Sequence, residues 1–365
     1  MWRREDTFPI KIGNVTIGGG NPIAVQSMTN TPTEDVVSTV SQIKRLERVG
    51  CELVRVAVPT KDSALKLGLI KRSVSIPIIA DLHFDLSLGF IALEMGVDKI
   101  RINPGTVPNR EILKKLVMEA KARNIPIRVG VNKGSLPDSY SKDKEGLVRC
   151  ALDYVKLIED WGYNNLVVSI KSSDPEETVE ANKLLASHLR YPISLGVTEA
   201  GGGWRGIVKS SVGLALALKD GIGDTVRVSL TGDPVMEVKV AYEILRSLGL
   251  RSRGVNLIAC PTCGRCQVDL ESYYQEIESA LEEVTIPIDV AVMGCSVNGP
   301  GEAKLADCGI AFGKDKAVFF IKGKIVGTFE PKEAIERLIT FVKEEAERSG
   351  DENVSAFLLS TERDT

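Results

Sequence analysis

The sequence predicts a parallel (β/α)8 barrel over residues 1–252, followed by a smaller α+β domain over residues 253–365. Two observations carry this: eight short β-rich apolar runs alternate with eight amphipathic segments, and that rhythm changes after Leu250. With 365 residues, 43% of them hydrophobic, a chain of this size buries roughly 75% of its unfolded surface. A large domain and a small one are both affordable.

Taken in order, "KIGNVTIGGG" alternates around a turn and reads as a hairpin closing the barrel's N-terminal face. The eight strands are "IAVQSM", "LVRVAVP", "PIIADLH", "KIRINPG", "PIRVGVN", "NLVVSIKS", "ISLGVTEAG" and "TVRVSLTG". Segments such as "EDVVSTVSQIKRLERVG", "NREILKKLVMEAKARN" and "DPVMEVKVAYEILRSLGL" follow them, several opening on Asp, Asn or Pro and closing on Gly as helices do. The helix after "EAGGGWRG" is expected to start near Lys209. In the second domain "RGVNLIAC" and "PIDVAVMG" read as strands and "QVDLESYYQEIESALEEV" as a helix. "AVFFIKGKIVGTF" reads as a hairpin, "PKEAIERLITFVKEEAERSG" as a helix, and "DENVSAFLLSTERDT" as a loose tail.

Net charge is -3 with the basic residues dispersed, which argues against an extended nucleic-acid surface. "MWRREDTFPIKIG" lacks the apolar core of a signal peptide, and no stretch approaches the ~20 apolar residues of a membrane span. The chain reads as cytoplasmic. Seven cysteines in that reducing compartment argue for metal or catalytic use of the clustered ones rather than a disulfide framework. Cys51 and Cys150, in or beside apolar helical patterns, read as buried.

Inward positions of a barrel strand are usually branched and apolar, yet here polar residues recur at spacing two near the strand ends. They are Arg55; Asp81 and His83; Arg101 and Asn103; Arg128 and Asn132; Ser169 and Lys171; Glu199; Arg227 and Ser229. Singly, each reads equally well as a strand-end charge meeting solvent. Five cations on five strands around one mouth point to an anionic ligand, because clustered like charges repel unless an anion neutralises them. The glycines of "EAGGGWRG" let backbone N–H groups approach phosphate oxygens, or serve as a flexible connector. The long connection "NKGSLPDSYSKDKEG" reads as a lid or as a tolerated insertion. Glu199 is a general acid/base or a counter-ion for Lys171 and Arg227. His83 transfers protons, bonds a substrate hydroxyl, or is structural.

"CPTCGRCQVDL" places Cys260, Cys263 and Cys266 at spacing three, and Cys295 follows the next strand in "GCSVNGPGEA". Structural zinc takes four thiolates in two knuckles, but one of those knuckles is missing here. A redox dithiol wants CxxC at a helix start in a thioredoxin-like unit, and an iron-sulfur cluster accepts a CxxC pair plus remote ligands from glycine-rich loops. On spacing alone Cys266 is the candidate fourth thiolate.

"PIAVQSMTNT", "ADLHFD", "RINPG", "VTEAGGG", "GIGDTVRVSL", "RSRGVNLIACPTCGR" and "GCSVNGPGEA" together resemble the bacterial 4-hydroxy-3-methylbut-2-enyl diphosphate synthase family of the methylerythritol phosphate route, over nearly the whole chain. The resemblance implies a barrel joined to an iron-sulfur domain, with a 4Fe-4S cluster held by Cys260, Cys263, Cys295 and Glu302, so that Glu302 replaces Cys266 as fourth ligand. A carboxylate is a harder and more labile iron ligand than a thiolate, which opens a site for substrate. The implied substrate is 2-C-methyl-D-erythritol 2,4-cyclodiphosphate. Its diphosphate would be bound by Arg55, Arg101, Asn103, Arg128, Asn132, Lys171, Arg227 and Ser229, with Glu199, His83 and Asp81 as catalytic candidates. Ferredoxin or flavodoxin as electron donor and a homodimer are further implications. A zinc-stapled barrel binding a phosphorylated metabolite is the rival reading.

Overall fold

The computed structural model describes residues 3–107, 109–266, 268–295 and 303–361. The chain divides into two compact units, Met1–Arg251 and Ser252–Thr365.

In the first unit a hairpin of β1 (Ile10–Ile12) and β2 (Val15–Ile17) precedes eight parallel strands. These are β3 (Ala24–Met28), β4 (Leu53–Ala57), β5 (Ile78–Asp81), β6 (Lys99–Ile102), β7 (Ile127–Asn132), β8 (Leu166–Lys171), β9 (Ser194–Leu195) and β10 (Thr225–Val226). They pair in the order β8-β7-β6-β5-β4-β3-β10-β9, and a parallel bridge between Val168 and Ile193 brings β8 against β9 to close the cylinder. The intervening helices are α1 (Val36–Arg48), α2 (Lys61–Ser73), α3 (Leu88–Glu94), α4 (Arg110–Ala122), α5 (Lys144–Asp160), α6 (Pro175–Ala186), α7 (Gly203–Lys219) and α8 (Pro234–Ser247).

The starting signals read in the sequence act as caps. Asp35, Asn109, Asp143, Asp174 and Asp233 each accept a backbone N–H in the first turn of α1, α4, α5, α6 and α8, satisfying donors that a helix leaves open. Apolar faces of strands and helices meet in one continuous core, which takes in Cys51 and Cys150. Burial pushes both thiols up to about 12. The hairpin plugs one end of the barrel: Ile10, Ile12 and Ile17 pack on Ala24, Leu53, Ile79 and Val167 inside it.

The second unit is a five-stranded sheet in the order β11 (Val255–Ala259), β12 (Ile288–Met293), β13 (Cys308–Phe312), β14 (Ala317–Ile321), β15 (Lys324–Phe329). The first three strands run parallel and the last two antiparallel. Helix α9 (Leu270–Ala280) and α10 (Pro331–Thr361) accompany it, and the core gathers Leu270, Ile277, Val290, Ile310, Phe312 and Leu338.

Three expectations are corrected. Strand β13, "CGIAF", had been assigned no element: all five of its residues are buried, so it shows none of the alternation that marks a half-buried strand. Helix α7 begins at Gly203 rather than near Lys209, because Gly202 supplies the first backbone acceptor, to Gly206 N–H, so the helix grows out of the glycines themselves. The closing segment is helical as far as Thr361, and residues 362–365 lie outside the described residues.

Candidate functional site

Register brings the inward polar residues of neighbouring strands side by side. Asp81 on β5 pairs with Arg101 on β6, and Arg101 with Arg128 on β7. Lys171 ends β8 opposite Asn132, and Arg227 follows β10. Together with Arg55 on β4, these side chains gather at the carboxyl ends of the strands, the barrel face on which active sites are built.

Asp81 organises one side. Its Oδ1 accepts from Arg101 Nη1 at 3.1 Å, and its Oδ2 lies 3.6 Å from Arg55 Nε and 3.4 Å from His83 Nε2. Burial opposes its ionisation, but Arg55, the hydrogen bond with His83 and Arg101 outweigh that and hold the carboxyl well below the usual range. Arg101 Nη1 also lies 2.8 Å from His83 Nε2. The other ring nitrogen, Nδ1, lies 3.5 Å from Thr106 Oγ1. Arg101 is thus gripped by Asp81, His83 and the Gly130 carbonyl (3.1 Å).

Across the mouth, Arg128 spends Nε and Nη2 on Ser169 Oγ at 3.0 and 2.7 Å, while its Nη1, like Arg101 Nε, is buried without a partner among the described residues. Arg227 Nε lies 3.6 Å from Glu237 Oε2 on α8, and Glu237 also accepts from Ser27 Oγ and Leu230 N–H. Burial, then Arg55, lowers Arg227 to about 10 against the pull of Glu237. Lys171 is buried, and burial followed by Arg128, Arg227, Arg55 and Arg101 drives its ammonium well below its ordinary range.

Two glycines make this crowding possible. A Cβ on Gly196 would stand 2.4 Å from Lys171 Nζ, and one on Gly130 would stand 2.8 Å from Arg101 Nε. So many cations with so few carboxylates form a site that an anion relieves.

Of the other barrel candidates, Asn132 and Ser229 are half-buried at the mouth. Asn103 turns its amide to the loops, donating to Ser135 Oγ (2.8 Å) and accepting from Gly105 N–H. Glu199 is exposed and holds a left-handed backbone, φ 53°, which a non-glycine residue adopts at some cost. Its Oε1 reaches the loop after β7, 3.6 Å from where a Cβ on Gly134 would be. The long connection after β7 is pinned by buried Leu136, whose carbonyl accepts from Lys142 Nζ. Sequence reasoning missed Lys99, fully buried two residues before Arg101, and Glu237, the carboxylate beside Arg227. Spacing two could have found Lys99; no signal marked Glu237 among the helix-face charges of α8.

In the second unit β11 and β12 lie parallel with Ala259 beside Val292, so Cys260 and the Gly294–Cys295 pair leave the sheet at the same end. Gly294 N–H donates to Cys260 Sγ at 3.2 Å. Cys263 is exposed and Cys295 half-buried. Cys266 Sγ bonds the Val268 carbonyl at 3.3 Å and, like Cys260, packs against the sheet core, so close to Gly294 that a Cβ there would lie 2.6 Å from the sulfur. Cys308 starts β13 beside Val290, away from these residues along the sheet, and burial pushes its thiol up to about 12. Glu302 lies outside the described residues. Among the described residues no three potential ligands stand close enough together to hold a metal ion; what the structure shows is Cys260 and Cys295 at one end of the sheet, with the Gly294 N–H turned to sulfur.

Comparison with known proteins agrees with both units. The family model described as the GcpE TIM-barrel domain matches residues 7–242, and that of the GcpE protein C-terminal domain matches residues 256–344. A protein of Thermodesulfovibrio yellowstonii named 4-hydroxy-3-methylbut-2-en-1-yl diphosphate synthase (flavodoxin) is 48% identical over 348 residues, 94% of this chain and 100% of that one. One of the same name from Nitratidesulfovibrio vulgaris is 52% identical over 331 residues, 89% of this chain and 86% of that one. Among solved structures, a dihydropteroate synthase of Stenotrophomonas maltophilia superposes with a TM-score of 0.51 at 12% identity, covering 66% of this chain and 98% of its own, a likeness of barrel fold alone. No described helix is long and apolar enough to cross a membrane. With both family models matched in sequence order and relatives this similar along nearly their whole length, the chain belongs to the GcpE family.

Proposed function

We propose that this chain opens the ring of 2-C-methyl-D-erythritol 2,4-cyclodiphosphate reductively, taking up two electrons and two protons and releasing one water to give (E)-4-hydroxy-3-methylbut-2-enyl diphosphate, a step of isoprenoid precursor synthesis. The observation that carries the reading is the ring of Arg55, Arg101, Arg128, Lys171 and Arg227, with N–H donors left unpartnered among the described residues, inside a barrel whose sequence matches relatives named for a diphosphate product. These cations, with Asn132 and Ser229, hold the diphosphate and stabilise negative charge as it becomes the leaving group. Asp81 and His83 fix the guanidinium of Arg101 rather than carry protons themselves. Asn103 orders the loops beside the mouth. Glu199 supplies the proton to the departing hydroxyl.

Cys260, Cys263 and Cys295, with Glu302 as fourth ligand, hold a 4Fe-4S cluster, for which the Gly294 N–H to sulfur contact is the structural support. When bound, that group supplies single electrons and a Lewis-acidic iron with an exchangeable ligand. Cys266, bonded to Val268, stays outside the ligand set. The electron donor is flavodoxin, as the relatives' names indicate for those proteins. The assembly is a homodimer, supported by Trp204, Val208, Val212 and Leu216, large apolar residues exposed at four-residue spacing along α7.

Iron, sulfide and zinc analysis of anaerobically purified protein tests the cofactor. About four irons and four sulfides per chain are expected, largely lost in Cys260→Ser and Cys295→Ser and retained in Cys266→Ser. A colourless protein with one zinc contradicts the reading.

A further inference from the structure

Lys99 has no part in the site as described. It opens β6 two residues before Arg101, so both side chains leave the strand on the inward face. At this depth a barrel is usually filled by branched apolar side chains, and its pair on β5 is Ile79. Lys99 is nonetheless 0% exposed, and its Nζ meets no hydrogen-bond partner among the described residues. The charged neighbours acting on it are Arg128 and Arg55, both cations.

The buried carboxylates beside the cation ring are committed elsewhere. Asp81 on β5 is engaged by Arg55, His83 and Arg101, and Glu237 on α8 faces Arg227 beyond β10. Lys171 on β8 is likewise buried beside Arg128, Arg227, Arg55 and Arg101. A buried ammonium beneath such a ring, without a carboxylate or an acceptor, is the unfavourable form of this side chain. Burial, then Arg128 and Arg55, moves its titration well below the ordinary lysine value.

We propose that Lys99 is a reserve charge beneath the cation ring, an uncharged amine in the ligand-free barrel that takes a proton from solvent when a diphosphate occupies the mouth. The proposal rests on the diphosphate reading above and deepens it. The incoming anion reverses the local potential set by Arg55 and Arg128, so the ammonium becomes the favoured form. Binding and proton uptake are then linked. Lys99 acts through the field rather than by touching the reacting atoms, and is a positioning residue. The device lets the vacant barrel carry less positive charge than the occupied one.

Linkage fixes the sign. Ligand raises the lysine's titration point, so affinity is highest below the ligand-free value and falls as pH rises through the window between the two. Calorimetric titration of the full chain with the cyclodiphosphate, and with inorganic pyrophosphate as a simpler anion, in buffers of different ionisation enthalpy between about pH 6 and 9, counts the protons taken up. Lys171 is expected to contribute its own proton, so the comparison is between wild type and Lys99→Met, with Lys99→Gln as a second, differently packed variant. In both variants uptake should drop by about one proton per site. The wild-type Kd should climb more steeply with pH, by up to about tenfold per pH unit inside the window. Equal uptake and equal slopes in wild type and variants, with binding retained, overturn the proposal and leave the diphosphate reading standing. A wild type that binds neither anion overturns both.

Discussion

Glu199 and Lys171 sit at the same barrel mouth with different work to do, and their variants should separate. Lys171 is buried among cations, and its removal takes a charge-assisted hydrogen bond from the diphosphate, worth about 1.5–3 kcal/mol or roughly ten- to a hundredfold in Kd. Glu199→Gln keeps the shape of an exposed side chain in its left-handed backbone. Its Kd for the cyclodiphosphate should stay within about threefold, while turnover falls on the order of a hundredfold through loss of the proton donor. Calorimetry beside steady-state kinetics makes the comparison, and unimpaired turnover in Glu199→Gln would remove its proposed role. Most of the ring was legible because Arg55, Arg101, Arg128, Lys171 and Arg227 occupy alternate inward positions at strand ends, where a barrel normally places apolar groups. Asn103 has the same spacing, yet it bonds Ser135 and Gly105 instead, because spacing sets the face of a residue and not the partner it finds there. Glu237 was illegible for the converse reason: a glutamate in a charged amphipathic helix reads as solvated until the barrel curls α8 beside Arg227.

Among the elements, the hairpin and α7 give the sharpest expectations. Ile12 and Ile17 are fully enclosed against Ala24, Leu53, Ile79 and Val167, at the end of the barrel opposite the cations. Ile12→Ala should therefore cost about 2–5 kcal/mol in urea unfolding, while cyclodiphosphate affinity of the folded protein stays near wild type. A large affinity loss without destabilisation would contradict the plug role. Helix α7 packs its other face into the core through Leu214 and Leu218 and leaves Val208, Val212 and Leu216 exposed. Val212→Asp places a charge in that stripe, so light scattering should show the proposed homodimer for the wild type and a shift to monomer for the variant. A persistent dimer would place the interface elsewhere. Elements with strong periodicity or capping residues were legible, as α1, α4 and α8 show with Asp35, Asn109 and Asp233. Strand β13 was not, since a strand buried on both faces carries no alternation, and α7 was read late because its glycines resemble a connector until the backbone shows them starting the helix.

For the whole molecule, the sequence rhythm predicts a barrel and a separate sheet, and the structure has both, each with its own core. The cation ring belongs to the first unit and the clustered cysteines to the second. Spacing could suggest Cys266 as a fourth ligand, but its bond to the Val268 carbonyl depends on how the chain turns into α9, which spacing does not encode. The central claim is that cation ring and thiol set serve one reaction. Phosphorus NMR of the cyclodiphosphate, mixed anaerobically with iron-loaded protein and reduced flavodoxin, tests it most directly. The account predicts that the two ring-phosphate resonances give way to those of a linear diphosphate monoester. Unchanged ring resonances, from protein that carries its full iron and sulfide and binds the cyclodiphosphate, would contradict it.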